Sequence, residues 1–600
     1  MKKILSAVLA AAVIISCAGC SKSSEKTRRR RKTKKPTKIE TSATTTTEIE
    51  TEPTDVSDPS DSSDPTGNSN PSRKNTSAID MDLFITNAGN ELSDDNEIRE
   101  IIADKTGVRL HEIYLVGQSV DEALNAIIAS GEYPDMIYTG SSDLLYQVGA
   151  LIAWDDYIAD PAYQNLRDFY TDAQWELFRE DDGHIYCVDP YPMIYGEDRT
   201  TIDTSLTCFW IQVRVLEWAG YPLIQTMDEY FDLLERYYNE NPKNEDGTDI
   251  IPYTMNTEGW RNYCLEAAPQ FLDGYAYNGT VIVDTENYSA PTILDYNTTP
   301  TAKRYFQKLN EFYKKGLLDP DFGAHSYDEY IAKMSSGAVL GTFDSYWDFA
   351  YATNDSFSSN DLEKYGYNYV PLGLTIEKGM ENHYYSNSRP INQAGGLTIT
   401  TQCEDPALAF SFLNRCLDQD IHDLRFWGIE ETDYFVDGRG YYYRTAENNR
   451  DWSDYSYLAE HVCRYNYLPY YKGTSRDNIN AMQPQEQASI FMDTLPQYVS
   501  KCFLAYGYDS YCDFVHSSES DWEPWYPMYT YSNSMTTATK GGEAHYKIKE
   551  IKQEYLPKVV LAKDFDAVWD EYMEAYSNCH PKDFLDEMQE ELDRRAALAG

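Results

Sequence analysis

The sequence predicts an α/β protein, and three observations carry that expectation. Within residues 79–148, apolar residues spaced every second position alternate with apolar residues spaced every third or fourth. The order reads strand, helix, strand, helix, strand, helix. Between residues 226 and 410 the pattern changes but stays α/β. From Ser77 onward the chain is long enough to bury a large core in more than one domain, and no apolar run there is long enough to cross a bilayer.

Taken in order, Ile79, Met81, Leu83 and Ile85 alternate as one face of a strand does. Asp94-Asp95 is placed to cap a helix with Ile98, Ile101 and Ile102 inward and Gly107 as its stop. Val108–Val116 reads as a second strand. Ser119-Val120-Asp121-Glu122 is a capping box, opening a helix with Leu124, Ile127 and Ile128 inward and Gly131 at its end. Met136-Ile137-Tyr138 reads as a short buried strand, and Ser141-Ser142 opens another helix through Leu144, Leu145 and Val148. Parallel sheets bind ligands beyond the carboxyl ends of their strands, so Thr139–Asp143 is a candidate site loop. Thr226-Met227-Asp228-Glu229 is a second capping box, and Thr299-Pro300 starts a helix that Gly316 closes. Strands are expected at Ala338–Phe343 and Gly396–Thr400, with a helix from Pro406. Tyr441–Glu543 is aromatic and irregular and supports no assignment, whereas Phe565–Arg595 reads as helical.

The N-terminus carries targeting signals. Met1-Lys2-Lys3, the apolar run Ile4–Ile15 and the small residues Ala18-Gly19 read as a secretory signal peptide over residues 1–19. Cys20 directly after it resembles a bacterial lipobox cysteine, which becomes the acylated N-terminus; Cys17 stands where such signals usually have Leu. The alternative is an ordinary secretory signal. Residues 20–76 are rich in Ser, Thr, Pro and charge and poor in large apolar groups, the composition of a disordered linker. Its basic part, from Lys26 to Lys38, is either a partner for anionic headgroups beside a lipid anchor or a solvated spacer. The net charge of -47 argues against a nucleic-acid partner, because the folded part repels phosphate backbones.

The remaining chemistry is sparse. Eleven cysteines less Cys17 and Cys20 leave nine, widely spaced and without a CxxC, so most are expected as buried thiols. Neither GxSxG, HExxH, a P-loop nor a dinucleotide fingerprint is present. Carboxylates are too abundant for any catalytic pair to stand out. Tyrosine is the compositional outlier at 52 of 600 residues and suits wet, stacking surfaces. Asn241, Glu245 and Asp249 place oxygens as a calcium loop does, but Lys243 and Ile250 stand where acceptors are wanted. A solvated turn is the competing reading, and no other cofactor is expected.

Several segments together resemble the extracellular solute-binding proteins of ABC importers. They are Ser130-Gly131-Glu132-Tyr133-Pro134-Asp135, Gly149–Trp154, Trp210–Leu216 with Ala219-Gly220-Tyr221-Pro222, Lys315–Asp321, Gly395–Thr400 with Pro406–Ala409, and Gln589–Arg595. The length and Gly428–Tyr434 are similar to the longer oligosaccharide-binding lipoproteins of Gram-positive bacteria. Many relatives have Arg and Asp where this chain has Gln212 and Arg214.

The resemblance implies a two-lobed, periplasmic-binding-protein-like fold with a hinge, a Venus flytrap related to maltose-binding proteins. It places lobe one at about 79–200 and 368–436 and lobe two at about 201–367 and 437–600. It implies a monomer anchored on the outer face of the cell membrane by Cys20, delivering a carbohydrate to the importer's permease subunits and doing no chemistry itself. A sugar site wants aromatic platforms and polar groups. On lobe one these are expected at Tyr138, Ser141, Ser142 and Asp143. On lobe two they are Trp210, Glu258, Trp260, Asp344, Tyr346 and Trp347, with Trp522 and Trp525 as a late platform. Core packing is the competing role for each tryptophan. A secreted glycan-active enzyme and a surface adhesin are the alternatives, and peptides remain open as ligands.

Overall fold

Eleven strands position the site: β1 (Ile79–Ile85), β2 (Val108–Tyr114), β3 (Met136–Thr139), β4 (Cys187–Val188), β5 (Met193–Tyr195), β6 (Thr207–Gln212), β7 (Ile251–Tyr253), β8 (Val339–Ser345), β9 (Tyr369–Leu372), β10 (Gly396–Ile399) and β11 (Tyr471–Gly473). The computed structural model describes residues 77–598 apart from residues 88, 204, 386–390, 519–522 and 524. The expected signal peptide, Cys20 and the expected linker therefore lie outside the described residues, as does Trp522.

Two sheets form two lobes. The first has the order β2-β1-β3-β10-β4, with β1 parallel to β2 and β3 and β10 antiparallel to its neighbours. The second has the order β9-β6-β8-β7 and mixes both directions. Each has its own core. Leu83, Ile102, Leu110, Trp154 and Phe410 pack in the first, and Phe209, Trp210, Tyr230, Phe231 and Phe343 in the second.

Local signals explain the elements between strands. The helix Val120–Ser130 starts at the Ser119–Glu122 capping box and ends at Gly131, whose left-handed φ of 68° glycine adopts without a Cβ penalty. Helices Met227–Glu240 and Pro300–Lys314 begin at Thr226 and Thr299, whose hydroxyls accept the orphan N–H three residues on. The first helix differs from expectation. Its cap is Asn96, which accepts from Arg99 N at 3.0 Å, because the turn at Asp94-Asp95 precedes the helix by one residue.

The hinge is three chain crossings. The first joins Val188 of the lobe-one core to Leu206 of the lobe-two core, the second joins Tyr384 to Ile391, and the third joins Met482 to Phe491. Both lobe boundaries expected from sequence shift accordingly. Residues 368–384 belong to lobe two, because β9 is the edge strand of its sheet. Residues 437–482 belong to lobe one, because Cys463, Tyr465, Leu468 and Tyr471 bury their side chains in its core. Main-chain and side-chain bonds tie the crossings together: β5 pairs with β11, Thr201 Oγ1 donates to Gln485 O at 2.8 Å, and Asn392 N donates to Asp189 Oδ2 at 2.7 Å.

Among the described residues, the aromatic stretch after Tyr441 resolves into short helices, turns and short strands that include β11, then the 21-residue helix Lys540–Val560. It shows no clean period because its apolar groups face several neighbours. All nine cysteines after Cys20 are free thiols. Many tyrosines are buried rather than wet, Tyr230, Tyr253, Tyr296, Tyr305 and Tyr330 among the largest fully buried side chains.

Candidate functional site

Strand register decides which sheet edges face each other. In lobe one, Gly396 follows the second crossing and pairs with Thr139, so the carboxyl end of β3 lies at the hinge. In lobe two, Thr207 follows the first crossing and pairs with Ser345, so the carboxyl end of β8 lies at the hinge. The two carboxyl edges therefore border the same cleft, the place where α/β sheets receive ligands.

On lobe two the chain leaves β7 and β8 through two aromatic turns. Trp260 sits in the short helical turn Gly259–Asn262, and Trp347 is the second residue of the helix Tyr346–Ser359. Their rings stack 5.6 Å apart at 18°, and Tyr263 lies 6.1 Å from Trp260 at 14°. Trp260 is 54% and Trp347 41% exposed, although each belongs to a class that core packing usually claims. The result is a set of nearly parallel rings, with Trp260 and Trp347 open to solvent and Tyr263 part-buried.

A buried polar layer holds this surface from below. The Tyr263 hydroxyl donates to Asp344 Oδ1 at 2.8 Å, and the Tyr330 hydroxyl to Oδ2 at 2.7 Å. Arg261 lies 4.3 Å from the Trp260 ring and 3.7 Å from the Tyr327 ring, and its Nε donates to Asp348 at 2.8 Å. Burial pushes both carboxyls up, and Asp348 adds repulsion at Asp344. Cys264, Asp344 and Asp348 bring metal-ligand types within 4.8 Å of one another. Tyrosine, cysteine and arginine donors already serve those carboxylates.

Several expected contacts have other roles. Trp210 is fully buried in β6; its Nε1 donates to Asp344 O at 2.8 Å and its ring packs on Phe349, so it is core. Asp344 is likewise inside the lobe and anchors Tyr263 instead of facing the cleft. Tyr346 turns from the platform to pack on Trp210 and Tyr351. Trp525 is 2% exposed and lies under Tyr288, with its carbonyl bonded to Arg595. Glu258 is exposed at the foot of the platform, where Oε2 accepts from Tyr327 N at 2.7 Å.

On lobe one, Tyr138 ends a row across the sheet edge with Ile85 and Tyr114. Its ring lies 4.6 Å from Tyr467, and its hydroxyl donates to that of Tyr191 at 3.4 Å. Ser141 and Asp143 are exposed beside it, while Ser142 is buried and locked by its N–H to Ala394 O. Asp189, at the start of the first crossing, is buried, and burial pushes its carboxyl up to about 7 despite N–H donors from Asn392 and Tyr191.

Tyr114, Tyr191 and Tyr467 did not stand out in the sequence. Tyr114 was accessible to the carboxyl-end rule, since it closes the second strand. Tyr191 and Tyr467 reach the edge from distant segments that no local pattern connects.

The loop considered for calcium closes on itself. Lys243 Nζ bonds Asp249 and the Gly247 carbonyl, and Asn241 Nδ2 donates to Tyr237 O at 3.2 Å. An ammonium thus stands among oxygens that a calcium loop would point at the metal.

No family model matches the chain. A fructooligosaccharide ABC transporter substrate-binding protein, FusA of Streptococcus pneumoniae, is 26% identical over 220 residues, 35% of this chain and 39% of that protein. The aligned part thus spans well under half of the curated relative. Among solved structures, FusA in complex with kestose superposes with a TM-score of 0.57 at 17% identity, covering 86% of this chain and all of the other. A human-milk-oligosaccharide-binding solute-binding protein from Bifidobacterium longum infantis gives 0.58 at 12% identity, covering 86% and 99%. The alginate-binding protein AlgQ2 gives 0.52 at 15%, covering 86% and 98%. Two lobes, three crossings and this likeness over 86% of the chain establish the two-lobed fold of the extracellular solute-binding proteins.

Proposed function

We propose that this protein is the extracellular solute-binding component of an ABC importer and that it captures an oligosaccharide between its lobes. The observation that carries the reading is the pair of exposed, stacked rings of Trp260 and Trp347, with the part-buried Tyr263 ring nearly parallel to Trp260, beside the cleft. Pyranose and furanose rings present flat C–H faces that stack on such surfaces, and their hydroxyls bond to polar groups at the rim. Arg261, the cation at the platform, is engaged by Asp348, which favours a neutral sugar over an acidic one. The identity to a fructooligosaccharide-binding protein supports the same class.

In this reading closure is a population shift: a ligand that touches both walls favours the closed arrangement. The protein binds without turnover and hands its ligand to permease subunits. It acts as a monomer, tethered to the outer face of the membrane through acylated Cys20. It takes no cofactor; a calcium ion in the 241–249 loop is the alternative that metal titration tests.

The test is a thermal-shift screen of the purified protein against fructooligosaccharides, milk oligosaccharides, N-glycans, alginate fragments and peptides, with every hit assayed for products. A ligand that binds only the folded state raises the melting temperature by mass action. A shift with a neutral oligosaccharide and no product supports the proposal. Product formation replaces it with a glycan-active enzyme, and a shift only with peptides or polymers replaces it with a peptide carrier or an adhesin.

A further inference from the structure

Arg425 lies on the helix Gln419–Phe426 and is completely buried. Burying a guanidinium is costly unless its donors are satisfied, commonly by a carboxylate. Here every hydrogen bond it makes ends on a main-chain carbonyl. Nε donates to Arg464 O at 2.9 Å, Nη1 to Cys416 O at 3.0 Å and Pro469 O at 2.9 Å, and Nη2 to Tyr465 O at 2.9 Å and Leu468 O at 3.3 Å. Four of those five carbonyls belong to the turn 464–469. A second restraint acts on the same turn: Tyr465 is left-handed at φ 50°, and its hydroxyl donates to Leu110 O at 3.1 Å.

The turn carries one side chain to the cleft edge, Tyr467. Its half-buried ring lies 4.6 Å from Tyr138 and 6.2 Å from Tyr114, and Asn87 Nδ2 approaches its hydroxyl at 3.5 Å. The same cage fixes Tyr465 and Leu468 in the lobe-one core, so the turn that bears Tyr467 is held rigidly on its buried side. A ring held in place before binding loses little freedom when a ligand stacks on it.

We propose that Tyr467 is the sugar-contacting aromatic of lobe one, opposed to the tryptophan platform of lobe two, and that Arg425 is its positioning residue. The inference rests on the carbohydrate reading above. The planar fork of arginine, with five donors, serves this role; a lysine has three donors and no fork.

The experiment is a double-mutant cycle by isothermal titration, using kestose, nystose, a milk oligosaccharide and an N-glycan as probes of the purified full chain. Tyr467→Phe keeps the ring and is expected within about twofold of the wild type, whereas Tyr467→Ala weakens binding about tenfold. Arg425→Lys weakens binding in the wild-type background and adds nothing in the Tyr467→Ala background, since coupled residues fail to add. If Arg425→Lys does not fold, Tyr465→Phe, which releases the same turn at Leu110, takes its place with the same expected coupling. Wild-type affinity in Tyr467→Ala overturns the proposal alone. Equal losses from the turn variant in both backgrounds overturn the positioning role. If the wild type binds none of the four sugars, the carbohydrate reading fails first and the proposal falls with it.

Discussion

Replacing Trp347 by alanine tests the site most directly. A tryptophan presents about 250 Å², and Trp347 is 41% exposed, which leaves about 100 Å² for a ligand. A sugar covering one face removes about half of that, and at about 25 cal/mol per Å² this amounts to about 1.3 kcal/mol, about tenfold in Kd. Folding responds by a comparable amount, so stability is measured separately. The side chain is half in solvent, and the lost stack on Trp260 is worth about 1 kcal/mol. The assay pairs titration calorimetry, with the glycan that gives the largest thermal shift, with urea unfolding of the free protein. Trp347→Ala should bind about tenfold more weakly while staying folded, with a loss of stability of at least about 1 kcal/mol. An unchanged Kd in a folded variant would refute the assignment of this surface to the ligand.

Trp210→Ala should behave oppositely: removing a fully buried indole costs about 3–5 kcal/mol, read as a lower urea midpoint, with affinity per folded molecule retained. The buried Asp433–His461 pair predicts acid sensitivity. Hydrogen bonds from His461, Ile429 N, Tyr457 and Trp452 overcome burial and hold Asp433 down at about 2, so its contribution is present above its usual 3.8 and is lost as pH falls toward 2. Bonding to Asp433 outweighs burial and raises His461, so that group's contribution is complete below its usual 6.5 and is lost as pH rises through the raised value. Asp433→Asn should therefore flatten the fall in unfolding free energy on acidification, and a profile parallel to the wild type would refute the pairing. Because Lys243 occupies Asp249, millimolar calcium or a chelator should leave the melting temperature unchanged; a calcium-dependent rise would show that the loop binds metal after all.

How much of this was legible beforehand follows from the range of the interactions. Helix starts at Ser119, Thr226 and Thr299 are set by contacts three residues apart, and the sequence carries them openly. The Asp94–Asn96 displacement shows the grain of such reading, since neighbouring acids and amides compete for one cap. Lobe membership was less accessible. β9 and residues 437–482 join their lobes through pairings and core contacts with segments far along the chain, and pattern alone cannot choose between two apolar cores.

The sequence by itself determined the α/β class, the strong helix boundaries and the resemblance to a two-lobed binder. That resemblance also brought Trp260 and Trp347 forward as stacking aromatics, Trp347 after an expected strand. Only the tertiary structure separated those two from Trp210 and Trp525. All four are large apolar side chains beside plausible elements, but two meet solvent at the carboxyl edge while two are enclosed. It alone brought Tyr467 to Tyr138 across more than three hundred residues and set Arg425 beneath it. The physical reason is that burial and hydrogen-bond satisfaction belong to the packed chain: whether a ring is core or platform depends on what covers its faces, which no local pattern encodes.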